Sequence, residues 1–97
     1  GDEVEDLSGE ASQEIRYQVK VEVGASSLII VISSGSGDAD LYLKKDEAPT
    51  RFSYDCRPYK SGNTETCEVA SPAPGLYHIM MRAYSDYKGV KLKVDLK

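Results

Sequence analysis

The feature that most constrains the fold is an alternation of apolar and polar residues with a period of two. In IRYQVKVEV (residues 15–23), apolar or aromatic side chains occupy every second position, and charged or amide side chains fill the positions between. The segment VKLKVDLK (residues 90–97) repeats this pattern. Because successive side chains of a β-strand point to opposite faces, the alternation is typical of strands with one buried and one solvated face.

Turn-forming residues interrupt these segments at short and regular intervals. SGSGDAD (residues 34–40) and SPAPG (residues 71–75) are rich in residues that favour turns. About seven or eight short strands separated by such turns, with no helical period, predict an all-β fold. We expect an antiparallel β-sandwich, jelly-roll-like, over residues 15–97, preceded by a solvated acidic segment at residues 1–14.

Size and charge limit the classes of function. The 97 residues suffice for one domain with a two-layer core. The net charge is -4, with acids and bases mixed along most of the chain, whereas nucleic acid or an anionic membrane calls for a basic stripe. The longest apolar run, LIIVI, is far shorter than the roughly 18 residues of a spanning helix. We expect the start at Gly1 to mark a cut, so the lack of a targeting segment in the sequence says nothing about location.

The two cysteines, Cys56 and Cys67, lie eleven positions apart around a polar stretch. A zinc site needs four ligands at close spacing and a thioredoxin-like redox pair needs CxxC, but the chain offers one histidine and no CxxC. A disulfide staple needs only that RFSYDC and ETCEVA form the arms of a hairpin, with Pro58, Gly62 and Asn63 in the turn. The residues therefore favour the staple, which persists in an oxidising compartment outside the cell.

Three strings in order resemble the bacterial pre-peptidase C-terminal domain: SGSGDADLYLKKDEAPT, then YDCRPYKSGNTETC, then PAPGLYHIMMRAYSDYKGVKL. With the opening GDEVEDLSGEASQEIRYQVKVEVGASSL, the resemblance covers almost the whole chain. It implies a non-catalytic, extracellular, all-β appendage of a secreted metalloprotease, collagenase or subtilisin-like enzyme. It also implies that Cys56 and Cys67 pair.

No set of residues in the sequence predicts an active site. A hydrolase needs a nucleophile, a base and an oxyanion site, and His78 is the only histidine. SSGSGD has the wrong spacing for the G-x-S-x-G nucleophile elbow. We therefore expect His78 to lie on a strand surface and the chain to have no catalytic residue.

Asp38 and Asp40 make the loop GSGDADLY a candidate calcium site. A calcium ion takes roughly six to eight oxygen ligands, which carboxylates and loop carbonyls supply. The alternative is that both carboxylates accept hydrogen bonds from amides of their own loop, as in Asx-turns. The resemblance extends to the collagen-binding domains of collagenases, in which an acidic segment ahead of the first strand holds calcium. It implies that Glu10 and Glu14 are the counterparts of that segment here, as weaker candidates than Asp38 and Asp40.

A row of side chains on LYHIMMRAY is a candidate contact surface. His78, Met80, Arg82 and Tyr84 share one face of this strand, Tyr87 follows just beyond, and Tyr42 is expected to point outward because it alternates with Leu41 and Leu43. The alternatives are an ordinary strand exterior or a face covered by a neighbouring loop. In the related collagen-binding domains outward tyrosines on this strand contact the substrate; Tyr84 matches one such position, and Arg82 replaces another. The predicted substrate contacts are Tyr42, His78, Arg82, Tyr84 and Tyr87.

Three classes of function remain open. The first is a module that holds a secreted peptidase, to which it is covalently linked, on insoluble collagen or on a polysaccharide such as chitin. The second is a segment needed for secretion or folding that is removed during maturation and has no ligand. The third is a free-standing extracellular binding protein. All three are extracellular, and none involves nucleic acid or a membrane.

Overall fold

The computed structural model describes residues 2–58 and 64–97, so the turn predicted at Gly62 and Asn63 lies outside the described residues. Over these ranges the chain forms β-strands and no helix, and hence no helix that is long and apolar enough to cross a membrane. The strands are β1 (Asp2–Gly9), β2 (Glu14–Val21), β3 (Ser27–Ser33), β4 (Ser36–Lys45), β5 (Glu65–Ala70) and β6 (Gly75–Leu96). The antiparallel, all-β prediction is confirmed, with fewer strands than expected.

Two antiparallel sheets share the long strand β6. The first half of β6 lies between β2 and β4, with Tyr17 opposite Ile79 and Leu43 opposite the same residue from the other side. The second half lies between β1 and β3, and β3 in turn pairs with β5. The two sheets therefore form a sandwich-like domain in which one strand crosses from one layer to the other.

The continuity of β6 lowers the strand count by one. LYHIMMRAY and VKLKVDLK were expected to be separate strands joined by SDYKG, but residues 75–96 form one strand of 22 residues. The linking residues keep partners on both sides, since Lys88 pairs with Ser36 and Tyr87 pairs with Gly9. Irregular register on both neighbouring strands at this point accommodates the passage between sheets.

The predicted hairpin between RFSYDC and ETCEVA is wrong. ETCEVA is β5, and it pairs with β3, placing Cys67 opposite Ile30. RFSYDC forms no strand; it contributes only isolated bridges, between Thr50 and Ser53 and between Leu43 and Cys56. β3 carries Leu28, Ile30 and Ile32 into the core, and β5 beside it has Cys67 and Glu65 on its buried face.

The acidic segment is part of the sheet. β1 pairs with the second half of β6, for example Val4 with Leu92, so the expected boundary after residue 14 is not a boundary in the fold. Its carboxylates face a basic residue of β6: Nζ of Lys91 lies 3.7 Å from Oε2 of Glu3 and 3.7 Å from Oε1 of Glu5. Pairing to a lysine-rich strand offsets the like charge that suggested a solvated segment.

The start of β4 requires glycine at position 37. Its φ is +95°, and a Cβ atom there would lie 1.9 Å from the carbonyl oxygen of Asp86 on β6. Only glycine permits both this backbone conformation and this close approach. The contact places Asp38 and Asp40 immediately afterwards on an edge strand of the first sheet.

The core lies between the two sheets and follows the predicted alternation. Its buried members are, among others, Leu28, Ile30 and Ile32 of β3, Leu41 and Leu43 of β4, and Tyr77, Ile79, Met81, Val90 and Leu92 of β6. Tyr77, expected in the core, also donates a hydrogen bond to the carbonyl oxygen of Ala73 at 2.9 Å. Burial of each such side chain stabilises the fold by roughly 1.5–3 kcal/mol, which fixes the sheets as a rigid support for what lies outside them.

Candidate binding site

The predicted row on β6 occupies the outer face of the first sheet, but its members differ in exposure. Tyr84 is 72% exposed. His78 and Arg82 are half-buried, and Met80 is completely buried although it points away from the core. The row is therefore interrupted at Met80.

The interruption is caused by residues 46–58, here called the crossing segment. Arg16, the β2 neighbour of Met80, donates a hydrogen bond from Nη1 to the carbonyl oxygen of Pro49 at 2.9 Å. Tyr42, its β4 neighbour, packs edge-to-face against Tyr54 with ring centroids 5.7 Å apart. This part of the outer face is covered by a neighbouring loop, which was one of the two alternatives.

The crossing segment also covers the free edge of β4. Leu43 donates its amide to the carbonyl oxygen of Cys56 at 2.9 Å, and the Leu43 carbonyl accepts hydrogen bonds from the amides of Asp55 and Cys56. An uncovered edge strand would leave these groups unpaired and open to other chains. RFSYDC therefore does not form a strand of its own; it covers the free edge of β4.

Cys56 and Cys67 form the predicted disulfide, with Cα atoms 6.1 Å apart. Cys67 lies on β5 in the second sheet, while Cys56 lies on the crossing segment against β4 of the first. The disulfide therefore links the crossing segment, which covers the first sheet, to β5 of the second sheet. It does not join the two arms of a hairpin, as the sequence predicted.

Beside the crossing segment lies an open cleft of about 370 Å³. It combines aromatic rings with arginines, and a single carboxylate belongs to its lining. The lining residues are Asp40, Tyr42, Arg51, Phe52, Tyr54, Arg57, Arg82 and Tyr84. Three of the predicted contacts, Tyr42, Arg82 and Tyr84, thus meet in one site.

The base of the cleft is an ordered stack. Arg57 donates a hydrogen bond from Nη2 to Oδ2 of Asp40 at 3.2 Å, and its guanidinium lies 4.9 Å from the centre of the Tyr42 ring. Tyr42 is only 1% exposed, so the expectation that it projects into solvent is wrong. Burial raises the pKa of the Tyr42 phenol, which keeps its hydroxyl protonated.

Arg51, Phe52, Arg82 and Tyr84 form the rim. Phe52 is 84% exposed, and Arg51 lies 5.0 Å from the centre of its ring. Arg82 points its Nε toward Oε2 of Glu14 at 3.5 Å, a distance outside good hydrogen-bond geometry. Flat rings and guanidinium groups at an open rim suit a site that contacts a large partner.

His78 and Tyr87 do not belong to this cleft. His78 lies on the other side of the crossing segment, where it lines a separate depression of about 410 Å³ together with Arg16 and Gln18. Tyr87 is buried in the core and lies against the backbone of Gly9. The expectation that Tyr87 contacts substrate is therefore wrong, because it sits where β6 passes between the sheets.

The candidate calcium residues Asp38 and Asp40 lie close to a third carboxylate, Glu65 of β5, with ligand atoms of all three within 4.8 Å of one another. Glu65 is 1% exposed and accepts a hydrogen bond from the Leu41 amide at 2.8 Å. The pKa of Glu65 is raised to about 7, chiefly because burial disfavours its charged form. The hydrogen bond from Leu41 lowers the pKa, whereas the negative charges of Asp40 and Asp38 raise it further.

A calcium ion partly fits this acidic cluster. Asp38, Asp40 and Glu65 supply three of the roughly six to eight oxygens that calcium takes, but Arg57 already neutralises part of their charge. Among the described residues, Glu10 and Glu14 are not in the group of carboxylates that lie within 4.8 Å of one another. Glu14 pairs with Arg16 at 2.9 Å and lies across β6 from Asp40. Calcium at Asp38 and Asp40 stays a prediction.

Sequence reasoning missed Arg51, Phe52, Arg57 and Glu65. Glu65 was accessible to it, because in ETCEV it shares the phase of Cys67 and Val69 and so falls on the buried face. The other three lie on the crossing segment, which has no period. The only feature of the sequence that pointed to them was that they lie within a few residues of Cys56, whose disulfide to Cys67 anchors the crossing segment.

The structure is a small all-β domain with an open cleft, and it is similar to parts of known proteases. The chain is 45% identical over 95 residues to the neutral protease of Vibrio proteolyticus, covering 98% of this chain and 15% of that protein. It is 46% identical over 92 residues to alkaline serine exoprotease A of Vibrio alginolyticus, covering 95% and 17%. It matches the solution structure of vEP C-ter 100 with a TM-score of 0.79 and 48% identity, covering 94% of this chain and 89% of that one.

Residues 13–83 match the family model of the bacterial pre-peptidase C-terminal domain, and the chain belongs to that family. It spans about a sixth of the two proteases, so the catalytic part lies elsewhere. The resemblance seen in the sequence is thereby confirmed.

Proposed function

We propose that this chain is the accessory domain of a secreted peptidase and that its cleft tethers the enzyme to insoluble protein such as collagen. The proposal rests on two well-exposed rings beside arginines, Tyr84 of β6 and Phe52 of the crossing segment, which the disulfide anchors. The disulfide fits an oxidising, extracellular setting. The linked enzyme accords with the proteases to which the chain is similar.

The exposed rings favour weak, reversible contact. Aromatic side chains offer large contact areas for little loss of conformational entropy. An open cleft with a few such groups buries too little surface to offset much of the entropy of association, so each contact is short-lived. A tether of this kind concentrates the enzyme on a solid while allowing it to move as digestion proceeds.

Adsorption of the 97-residue chain to insoluble collagen, chitin and cellulose tests the proposal. The chain should sediment with collagen, and Tyr84→Ala and Phe52→Ala should each lower the bound fraction at unchanged melting temperature. Val23→Ala is the matched control, because Val23 is 86% exposed and is not among the residues that line the cleft. Its adsorption should equal that of the parent.

Two results would decide against tethering to protein. If the parent chain adsorbs to none of the solids, the alternative of a secretion or processing segment with no ligand takes its place. If it adsorbs to chitin or cellulose and not to collagen, the partner is a polysaccharide.

A further inference from the structure

We infer that the cleft selects acidic peptide segments, with a substrate carboxylate held by Arg51 and Arg82 and an adjacent flat group resting on Tyr84 and Phe52. This inference deepens the proposed function and rests on it, since it names the chemistry of the protein that the cleft would hold. The substrate side is an aspartate or glutamate next to an aromatic or apolar residue.

The charge of the cleft is opposite to that of the chain. The protein carries a net charge of -4, yet three arginines and one aspartate line the cleft. Asp40 is already paired with Arg57 at 3.2 Å. Arg82 and Arg16 share the single carboxylate of Glu14, at 3.5 and 2.9 Å. Together with Arg51 they leave the rim an excess of positive charge, which an acidic segment complements and a lysine-rich one does not.

Arg82 is held in position but is incompletely used. Its nearest carboxylate is Glu14, at 3.5 Å from Nε, and the other oxygen of Glu14 accepts a hydrogen bond from Arg16 at 2.9 Å. Within the residues that the structure describes, Arg82 Nε has no acceptor in hydrogen-bond geometry. Nε is itself buried, so an incoming carboxylate meets the part of the Arg82 side chain, 16% of its surface, that stays exposed beside the cleft. The planar guanidinium carries several N–H donors, which suits it to a carboxylate.

Arg51 supplies a second donor in the lining of the same cleft. It is exposed, and stacking at 5.0 Å over the Phe52 ring restrains it without neutralising its charge. Phe52 and Tyr84 then offer apolar faces beside both guanidiniums. A neutral polysaccharide would meet the arginines only through hydroxyl oxygens, whereas an acidic peptide offers them a carboxylate and so a charge-assisted hydrogen bond.

Three soluble fluorescent peptides of equal length test the inference, with core sequences Glu-Tyr-Glu, Gln-Tyr-Gln and Lys-Tyr-Lys. Fluorescence polarisation with the 97-residue chain should show the Glu peptide binding roughly fivefold or more tightly than the Gln peptide, equivalent to one charge-assisted contact. The Lys peptide should bind most weakly. The preference should shrink as salt rises from about 50 to 500 mM, because the rim is solvated.

Two variants and a control locate the effect. Arg82→Gln and Arg51→Gln should each remove most of the preference for Glu over Gln. Lys20→Gln removes a positive charge from β2, on a side chain that is 77% exposed and not part of the cleft lining. It should leave the preference intact. The melting temperatures of Arg51→Gln and Lys20→Gln should match the parent, and that of Arg82→Gln should stay high enough for the chain to be folded at the assay temperature.

The outcomes separate the two proposals. Equal affinity for the Glu and Gln peptides, in a chain that still adsorbs to collagen through Tyr84, overturns the acidic preference and leaves tethering standing. A clear Glu preference in a chain that adsorbs to no insoluble protein supports the peptide chemistry and removes the tethering role. Tighter binding to polygalacturonate than to the Glu peptide, lost in Arg82→Gln, contradicts the peptide class and assigns the cleft to acidic polysaccharide.

Discussion

Arg57 donates a hydrogen bond to the carboxylate of Asp40 at 3.2 Å in a setting where the two side chains are only 20% and 9% exposed. The pair joins the acidic cluster on one side to the aromatic base of the cleft on the other. Removing one member of a largely buried pair leaves the other charge uncompensated, which costs more than the pair itself contributes.

We therefore expect Arg57→Met to lower the free energy of unfolding by about 2–4 kcal/mol in urea titrations at pH 7.5. Arg51→Met is the control, since that exposed guanidinium should cost no more than about 0.5 kcal/mol. Adding Asp40→Asn to Arg57→Met should restore part of the loss. A double variant as unstable as the sum of both single variants would show that the two charges are not coupled.

Glu65 makes the stability of the domain depend on pH. Its folded pKa of about 7 lies above the ordinary value of 4.5, so between these values the folded state binds more protons than the unfolded state. The contribution of Glu65 is fully favourable below about pH 4.5 and is lost as the pH rises through 7. Stability attributable to this group should fall by on the order of 2–3 kcal/mol from pH 5 to pH 8.

Glu65→Gln isolates that contribution, because the amide keeps the acceptor for the Leu41 N–H and removes the titration. In calcium-free buffer with chelator, the variant should match the parent near pH 5 and exceed it in stability at pH 8. Urea unfolding of both proteins at several pH values measures the difference. A difference that does not change with pH would contradict the raised pKa.

Calcium should raise the melting temperature if it binds at Asp38 and Asp40. A concentration of about 100 times the dissociation constant would add roughly 2.7 kcal/mol to the free energy of unfolding. Asp38→Asn should abolish the rise and leave the Arg57–Asp40 pair in place, while Glu10→Gln should leave the rise unchanged. If millimolar calcium has no effect on the parent, hydrogen bonding of the two carboxylates within the protein is the better account.

Loss of the disulfide should destabilise the domain by about 3 kcal/mol, the value expected for a loop of this size. Scanning calorimetry with and without a reducing agent measures it, and Cys56→Ala with Cys67→Ala should reproduce the reduced state. Because the bond anchors the crossing segment, binding to the cleft should weaken in the same variant while the far-ultraviolet spectrum of the sheets persists. Two alkylatable thiols in oxidised, unreduced protein would show that the bond does not form.

Two tyrosines on one strand should respond in opposite ways to truncation. Tyr77 lies in the core and bonds to the Ala73 carbonyl, so Tyr77→Ala should cost about 3–5 kcal/mol in chemical unfolding. Tyr84 is exposed, and Tyr84→Ala should change stability by less than about 0.5 kcal/mol while reducing adsorption. A large loss of stability in Tyr84→Ala would place that ring in a buried contact.

The sequence alone determined the fold class, the main core positions and the family. Period-two alternation identifies the buried face of each strand without knowledge of its neighbours, which is why Tyr77, Ile79 and Leu92 were placed correctly. The ordered strings around the cysteines identified the family, and the absence of CxxC favoured a disulfide. Each of these features can be recognised from the order of residues along the chain, without knowing which residues meet in the fold.

Only the tertiary structure decided what covers the outer face of the first sheet and which residues, distant in sequence, meet on that face. Alternation separates inward from outward positions but does not report whether an outward position is covered, so Tyr42 and Met80 were expected at the surface and lie beneath the crossing segment. That segment follows no period, since its backbone bonds to the edge of β4 instead of extending a sheet. Arg57 and Glu65 reach Asp40 from 17 and 25 residues away because the disulfide and strand pairing bring them there, and this proximity, not any local pattern, creates the cleft and the acidic cluster.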